Sequence, residues 1–303
     1  MNQDSPEDET GHFGYVGLIG RPNVGKSTLL NHLVGQKLSI VTHKPQTTRQ
    51  RIAGILTRDS GQIVFLDTPG IHRDERRAIN RYMNKTSVAI LRDVDLIVWL
   101  VEAAYLTDDD RKVLEYLQRQ NTPVIVAINK LDQLAHREDL LPFMAELGDL
   151  LPGCEPLPMS ALRGEGVDEL LALIEPRLPM SRPLYGEDEI TDRSERFIAA
   201  ELIREQLFLR LHQEIPYAAT VEIEQFQREG NLTRINAVIW VERDSQKAIV
   251  IGQKGQTLKW IGQQARRGLE EMLDCKVHLE TWVKTAKSWS DSEQSLNRFG
   301  YND

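Results

Sequence analysis

Gly20-Arg21-Pro22-Asn23-Val24-Gly25-Lys26-Ser27 decides how the first half of this chain is read. The stretch fits G-x-x-x-x-G-K-[ST], with an apolar run at 15–19 directly before it and an amphipathic stretch at 26–34 opening at its end. A strand, a glycine-rich turn and a helix in that order make an anion cradle, the P-loop. The glycines let backbone N–H groups converge on phosphate oxygens, and the unsatisfied N–H groups of the new helix point at the same charge. Lys26 is then the candidate point charge for the β- and γ-phosphates. Ser27 is the candidate hydroxyl on Mg²⁺, with Thr28 following it in the helix.

Outward from this stretch, short apolar runs alternate with helical patterns. Strands are expected at 15–19, 52–56, 63–66, 96–101, 124–128 and 156–159, and helices at 26–34, 75–91, 108–120, 137–150 and 167–174. Near-continuous apolar runs suit strands buried on both faces, so the alternation predicts an α/β domain with a mixed, mostly parallel sheet and helices on both faces. The runs 52–56 and 63–66 lie too close for a helical crossover. They should form an antiparallel hairpin turning at Asp59-Ser60-Gly61.

Further motifs stand at the expected strand ends. Asp67-Thr68-Pro69-Gly70 sets an acid where a metal would edge the phosphates, and Gly70 lacks a Cβ that would keep its N–H from the γ-phosphate. By itself this tetrapeptide also reads as a plain turn; its place downstream of the cradle favours the ligand reading. Asn129-Lys130-Leu131-Asp132 chooses the base. An ionised carboxylate only accepts hydrogen bonds; guanine offers its N1–H and 2-amino donors side by side, whereas adenine has an acceptor at N1. Asp132 therefore selects guanine, Lys130 can lay its aliphatic stem across the base plane, and Asn129 can brace the neighbouring loops. Ser160-Ala161 would offer a backbone N–H to the guanine O6, and it counts only through its place in the order.

That order is the pattern of a GTPase, which takes GTP to GDP and phosphate. Switch I is expected within 36–51, where Thr47 and Thr48 are candidates to cap Mg²⁺ and Thr48 is preferred. The metal set is thus Ser27, Thr48 and Asp67, and the catalytic set Lys26, Thr48, Gly70 and Asn23. Where Ras-like enzymes carry a glutamine to orient water, this chain has Ile71, which neither donates nor accepts. Water must be placed by another group, by a partner, or with K⁺, for which Asn23 is the side chain to watch. Slow unaided hydrolysis is expected, as for a switch.

Pro176, Pro179, Pro183 and Gly186 mark a change of pattern. Beyond it the expected order is helix, strand, strand, short helix, Gly-x-x-Gly turn, helix, strand, over 194–212, 218–227, 233–242, 245–251, 252–255, 256–273 and 276–283. This is the topology of a smaller α+β domain of the type II KH kind. There Ile251-Gly252-Gln253-Lys254-Gly255 would clamp single-stranded nucleic acid by its backbone. A lone G-x-x-G also reads as a mere helix–helix turn. The window 245–268 adds weight, since it holds Lys247, Lys254, Lys259, Arg266 and Arg267 and no acid. Trp240, Trp260 and Trp282 read as core, and the acidic run Glu187–Glu189 as a solvated linker face. The expected domains are an acidic tail at 1–12, the GTP-binding domain at 13–178, a linker at 179–192, the KH domain at 193–287 and a tail at 288–303, read as a short docking helix.

Composition bounds these readings. The 303 residues are 41% hydrophobic and 27% charged, enough to bury more than one core. The longest apolar run, 96–101, falls far short of the ~18 residues that span a bilayer, and the acidic N-terminus lacks the apolar segment of a secretory signal. Two distant cysteines, Cys154 and Cys275, exclude a disulfide framework and suit a reducing cytoplasm. The net charge of −8 disfavours nucleic-acid binding over the whole surface, which leaves it to the local basic window.

Taken together, G-R-P-N-V-G-K-S-T, Q-T-T-R at 46–49, D-T-P-G-I-H at 67–72, N-K-L-D, I-V-I-G-Q-K-G and the terminal L-x-x-x-G-Y at 296–301 resemble the bacterial Era family of GTPases, from about Phe13 to Tyr301. The resemblance implies binding of 16S rRNA near its 3′ end, help in maturation of the 30S ribosomal subunit and peripheral contact with the inner membrane; a monomer is expected. The alternative from the residues themselves is a GTP-regulated protein-docking or membrane-associated signalling module whose second domain binds no RNA.

Overall fold

The apolar run before the glycine-rich turn reaches further back than its side chains suggest. β1 spans Gly11–Ile19, because its polar start pairs in parallel with the strand beginning at Gly61 and antiparallel with Met180–Ser181. The computed structural model describes residues 11–70, 77–134, 136–154 and 156–301. After β1 come α1 (Lys26–Val34), β2 (Ile52–Arg58), β3 (Gly61–Asp67), α2 (Ala78–Ile90), β4 (Leu96–Glu102), α3 (Asp108–Leu117), β5 (Val124–Asn129), α4 (Leu140–Leu150), β6 (Leu157–Pro158), α5 (Val167–Ile174) and β7 (Met180–Ser181). The described residues fall into two compact units: 11–38, 48–70 and 84–192 belong to the first, and 39–47, 77–83 and 193–301 to the second.

In the first unit the sheet order is β2-β3-β1-β4-β5-β6, with β7 paired to β1 off this path. β2 and β3 form the antiparallel hairpin, with Arg58 opposite Gly61, so the turn itself is Asp59-Ser60. The pairs from β3 through β6 are parallel. Parallel strands end at one edge, which brings the residues after β1, β3, β4 and β5 to the crevice where ligands bind in such sheets. Leu96, Ile97, Val98, Trp99, Leu100 and Val101 of central β4 are all fully buried. At about 1.5–3 kcal/mol per buried large aliphatic side chain, this strand anchors the unit.

Residues 179–192, read as a linker, are laced along the first unit. Phe13 N donates to Pro179 O at 2.9 Å, Ile55 N to Ile190 O at 2.9 Å, and Thr191 Oγ1 to Ala53 O at 2.6 Å. An edge strand such as β2 offers unpaired backbone groups, and these contacts satisfy some of them.

The second unit contains α6 (Glu195–Arg210), β8 (Thr220–Glu229), β9 (Leu232–Val241), α7 (Asp244–Ile251), α8 (Gln256–Leu273), β10 (Lys276–Thr285) and α9 (Glu293–Arg298). Its sheet runs β10-β9-β8, with β8 and β9 antiparallel and β9 and β10 parallel. The tail is a core element here. Trp289 is fully buried, donates its indole N–H to Ala218 O at 2.9 Å and stacks on Tyr301, which packs with Leu296, Ala78 and Ile79.

Part of the expected switch I, residues 39–47, also lies in this unit. Lys44 Nζ donates to the carbonyls of Phe208 and Leu211 at the C-terminal end of α6, where a helix presents unsatisfied acceptors. Val41 N donates to Glu205 Oε1 at 3.2 Å, and the wholly buried Arg204, paired to Glu201, donates to Thr47 O. The GTP-binding domain expected at 13–178 therefore gives up two stretches to the second unit.

Trp282 departs from the core reading: it is 42% exposed. β10 alternates, with Val277 and Val283 buried while His278, Glu280, Trp282 and Lys284 face solvent, and Trp282 falls in the outward register. Trp240 and Trp260 are half-buried, each under an arginine: Arg298 at 5.1 Å and Arg210 at 5.3 Å. The fully buried indoles are those of Trp99 and Trp289.

Candidate functional site

In the first unit the glycine-rich loop is built around a close approach. Gly25 has φ 108, and a Cβ there would lie 2.1 Å from Asn129 Nδ2; only glycine meets both demands. Asn129 uses that access to tie two loops together, donating from Nδ2 to Val24 O at 2.8 Å and accepting from Ala161 N at 2.8 Å. Asp132 Oδ1 accepts from Ser160 Oγ at 2.6 Å. The N-K-L-D and Ser-Ala stretches thus meet, and Lys130 and Asn23 both sit in left-handed backbone, at φ 65 and φ 63.

Lys26 is buried, with Nζ donating to Gly20 O and Arg21 O, each at 2.9 Å. Burial pushes its ammonium down from the ordinary 10.5 to about 8, against the opposing pull of Asp67. Asp67 Oδ2 accepts from Ser27 Oγ at 2.7 Å and Thr48 Oγ1 at 3.3 Å, and the two hydroxyls are 2.9 Å apart. Two hydroxyls and a carboxylate, all hard oxygen donors, fit Mg²⁺ chemically. Thr68 Oγ1 donates to Leu18 O at 3.0 Å, and Pro69 O accepts from Ser87 Oγ at 2.6 Å. These bonds hold Gly70 against Pro22 of the loop. Thr28 and Leu131 are half-buried beside the same loops. Ile71 lies outside the described residues.

Two acids that sequence reasoning passed over join this site. Glu102, the last residue of β4, accepts from the Arg21 guanidinium and, at 3.0 Å, from Lys130 Nζ. Burial raises the pKa of its carboxyl, but the hydrogen bonds and charges of Lys130 and Arg21 outweigh that and hold it below the usual carboxylate range. Asp110, wholly buried in the first turn of α3, accepts from Arg21 Nε at 3.2 Å and from Thr107 Oγ1 at 2.7 Å. The signal was available: an acid closing a buried strand at the ligand edge, as Asp67 closes β3.

In the second unit Gly252 (φ 72), Lys254 (φ 50) and Gly255 (φ 76) make a tight turn between α7 and α8. A Cβ on Gly252 would stand 2.2 Å from Thr257 Oγ1, so this position cannot take a side chain without displacing its neighbour. Beside the turn lies a groove of about 440 Å³ with Leu258, Leu279 and Thr281 along it and Lys259 and Arg266 at its border. Gln253, Lys254, Lys259, Arg266 and Arg267 are exposed, and Ile251 is half-buried behind them.

Known proteins share this arrangement. A family model described as a 50S ribosome-binding GTPase matches residues 15–130, and a KH-domain model matches 214–290. The chain is 49% identical to the GTPase Era of Azotobacter vinelandii, over 98% of this chain and 99% of that one. The chain belongs to the Era family of GTPases. Solved Era structures agree: an Aquifex aeolicus Era variant bound to GDP and AlF4⁻ matches at a TM-score of 0.93 and 38% identity over 96% of this chain and 100% of the other. An Era in complex with MgGDPNP and nucleotides 1506–1542 of 16S ribosomal RNA matches equally well, over 97% and 100%. This Era-family protein is a GTPase, with a P-loop domain of mixed, mostly parallel sheet followed by a KH domain.

Proposed function

We propose that this GTPase is a molecular switch that binds 16S rRNA near its 3′ end through the KH groove and assists assembly of the 30S subunit. The observation that carries the reading is the groove itself: exposed Lys259 and Arg266 line it with apolar Leu258 and Leu279, beside a turn that carries exposed Lys254 and that Gly252 lets pack against Thr257. Cations there suit the phosphates of a single strand and the apolar wall suits its bases. The rRNA segment held by the similar Era supports the same partner.

In the nucleotide site Lys26 would meet the β- and γ-phosphates, whose charge favours its protonated form. Gly70 N–H would meet the γ-phosphate, and Asp132 and Lys130 the guanine; the Ala161 N–H, bonded to Asn129 Oδ1 in this structure, would reach the guanine O6 only by leaving or sharing that bond. Ser27, Thr48 and Asp67 would hold Mg²⁺, which supplies positive charge to the phosphate oxygens. Thr48 directly follows Thr47, whose carbonyl Arg204 holds in the second unit. Ordering of Thr48 by nucleotide would therefore pull on a residue fixed to α6. Asn23 is the proposed K⁺ contact, so hydrolysis should be faster in K⁺ than in Na⁺, and Asn23→Ala should erase the difference. The protein would act as a monomer in the cytoplasm. Contact with the inner membrane would be peripheral, since among the described residues no helix is long and apolar enough to cross.

Replacing both turn glycines with Asp would strain the fold, because Gly252 has no room. Gln253→Asp/Lys254→Asp changes only exposed side chains, so it isolates RNA contact. The full-length protein should bind a short RNA matching the 16S 3′ end more tightly with a GTP analogue than with GDP, and the double variant should lose that RNA while keeping GTP. Equal RNA affinity in both nucleotide states would refute the coupling. Absence of RNA binding in wild type would refute the rRNA reading and leave a protein-docking module.

A further inference from the structure

Glu102 closes β4 and links two parts of the nucleotide site that are 109 positions apart in the chain, at Arg21 and Lys130. One carboxylate accepts both from the guanidinium of the loop residue after Gly20 and from the ammonium of the residue assigned to the base plane. Arg21 is gripped from a second side by Asp110, itself locked by Thr107 in a capping box at the start of α3. Backbone geometry tells the same story. Lys130 (φ 65) and Ala104 (φ 89), two residues beyond Glu102, both occupy left-handed backbone without being glycine. Such conformations persist only where the surroundings over-determine them.

We infer that Glu102 is a positioning residue for guanine-nucleotide binding, holding the Lys130 stem and the Arg21 end of the phosphate loop in their binding arrangement before nucleotide arrives. The inference rests on the reading of Lys130 as the base-plane residue. A preset site spends less of its interaction energy on ordering side chains, and it does so whichever nucleotide enters. Glu102 therefore acts on GTP and GDP alike. Its loss raises KM and leaves kcat in place, the signature of uniform binding.

The test is a double-substitution cycle on the full-length protein, with binding of fluorescent GDP and GTP analogues, steady-state kinetics, and melting without nucleotide. Glu102→Gln should weaken both nucleotides by about tenfold, as its contacts to Arg21 and Lys130 lose their charge assistance, with kcat within about twofold. Its melting point should stay within about two degrees of wild type. Lys130→Met, which keeps the stem and drops the charge, should weaken both nucleotides, and in that background Glu102→Gln should cost clearly less than in wild type, the remainder being carried by Arg21. An unchanged GDP affinity in Glu102→Gln overturns the inference, and so does a penalty undiminished beside Lys130→Met. If Lys130→Met binds as wild type, the ion pair does not serve binding and the inference falls; if Lys130→Ala, which removes the stem, binds as wild type, the base-plane reading itself falls. Should Glu102→Gln melt early, Glu102→Ala in both backgrounds carries the same comparison.

Discussion

In the first unit the groups assigned to the nucleotide are buried and already bonded to one another: Lys26 to two carbonyls, Asp67 to two hydroxyls, Asn129 to two loops. In the second, Lys259 and Arg266 stand exposed along a groove, with Lys254 exposed on the neighbouring turn and Arg267 exposed on the same helix. The contrast is one of selectivity against reach. A buried, bonded site leaves a polar group unsatisfied if the wrong ligand enters, so it rejects analogues steeply. Exposed cations gain from any phosphate chain and are weakened by salt.

The largest expected effect breaks the first side of this contrast. Asp132→Asn should lower guanine-nucleotide affinity by about a thousandfold or more and favour xanthine, whose O2 accepts where guanine donates; competition between GTP and XTP measures it. Next, Lys26→Met should reduce single-turnover GTP hydrolysis by about 10²–10³-fold, the usual cost of losing one preorganised charge at the reacting phosphate.

Salt sharpens the contrast. With about four phosphate contacts on a single strand, RNA affinity should fall roughly fiftyfold between 50 and 200 mM salt, while GDP affinity in the buried site changes far less. A flat RNA response would mean that the exposed cations are not the contact. A pH response is expected of the first unit. Free Lys26 loses its proton near pH 8, so binding that needs the ammonium should weaken about tenfold between pH 7 and pH 9, with proton uptake visible by calorimetry. The stability contribution has the opposite slope. Because the folded pKa of about 8 lies below the unfolded 10.5, Lys26 makes the nucleotide-free fold more stable as pH rises between those values. The smallest effect is Ala104→Gly, which should raise stability by about 0.5–1 kcal/mol in denaturant unfolding, since glycine relieves the φ 89 backbone.

Much of the fold was legible because its signals are local. Helix α8, 256–273, and helix α5, 167–174, begin and end where the sequence pattern puts them. Helix α8 starts after a glycine and shows a clear apolar stripe, with Ile261, Ala265 and Leu269 buried. The helix expected at 137–150 opens instead with a 3₁₀ turn, Arg137–Asp139, and becomes α-helical only at Leu140. Trp282 misled because an aromatic on a strand has two faces to choose from, and only the register against β9 shows that it points outward.

The sequence by itself determined the chemistry of the ligand sites. Phosphate cradle, metal acid and base-reading acid each require particular residue types at fixed offsets from a strand end, and such offsets survive any packing. Tertiary structure alone decided which distant side chains complete them. The Glu102 bridge from Arg21 to Lys130, and the hold of Arg204 on Thr47, arise because strand order and helix docking bring residues far apart in the chain within hydrogen-bond range. A single carboxylate or guanidinium carries no periodicity, and its partner is set by the fold rather than by its neighbours in sequence.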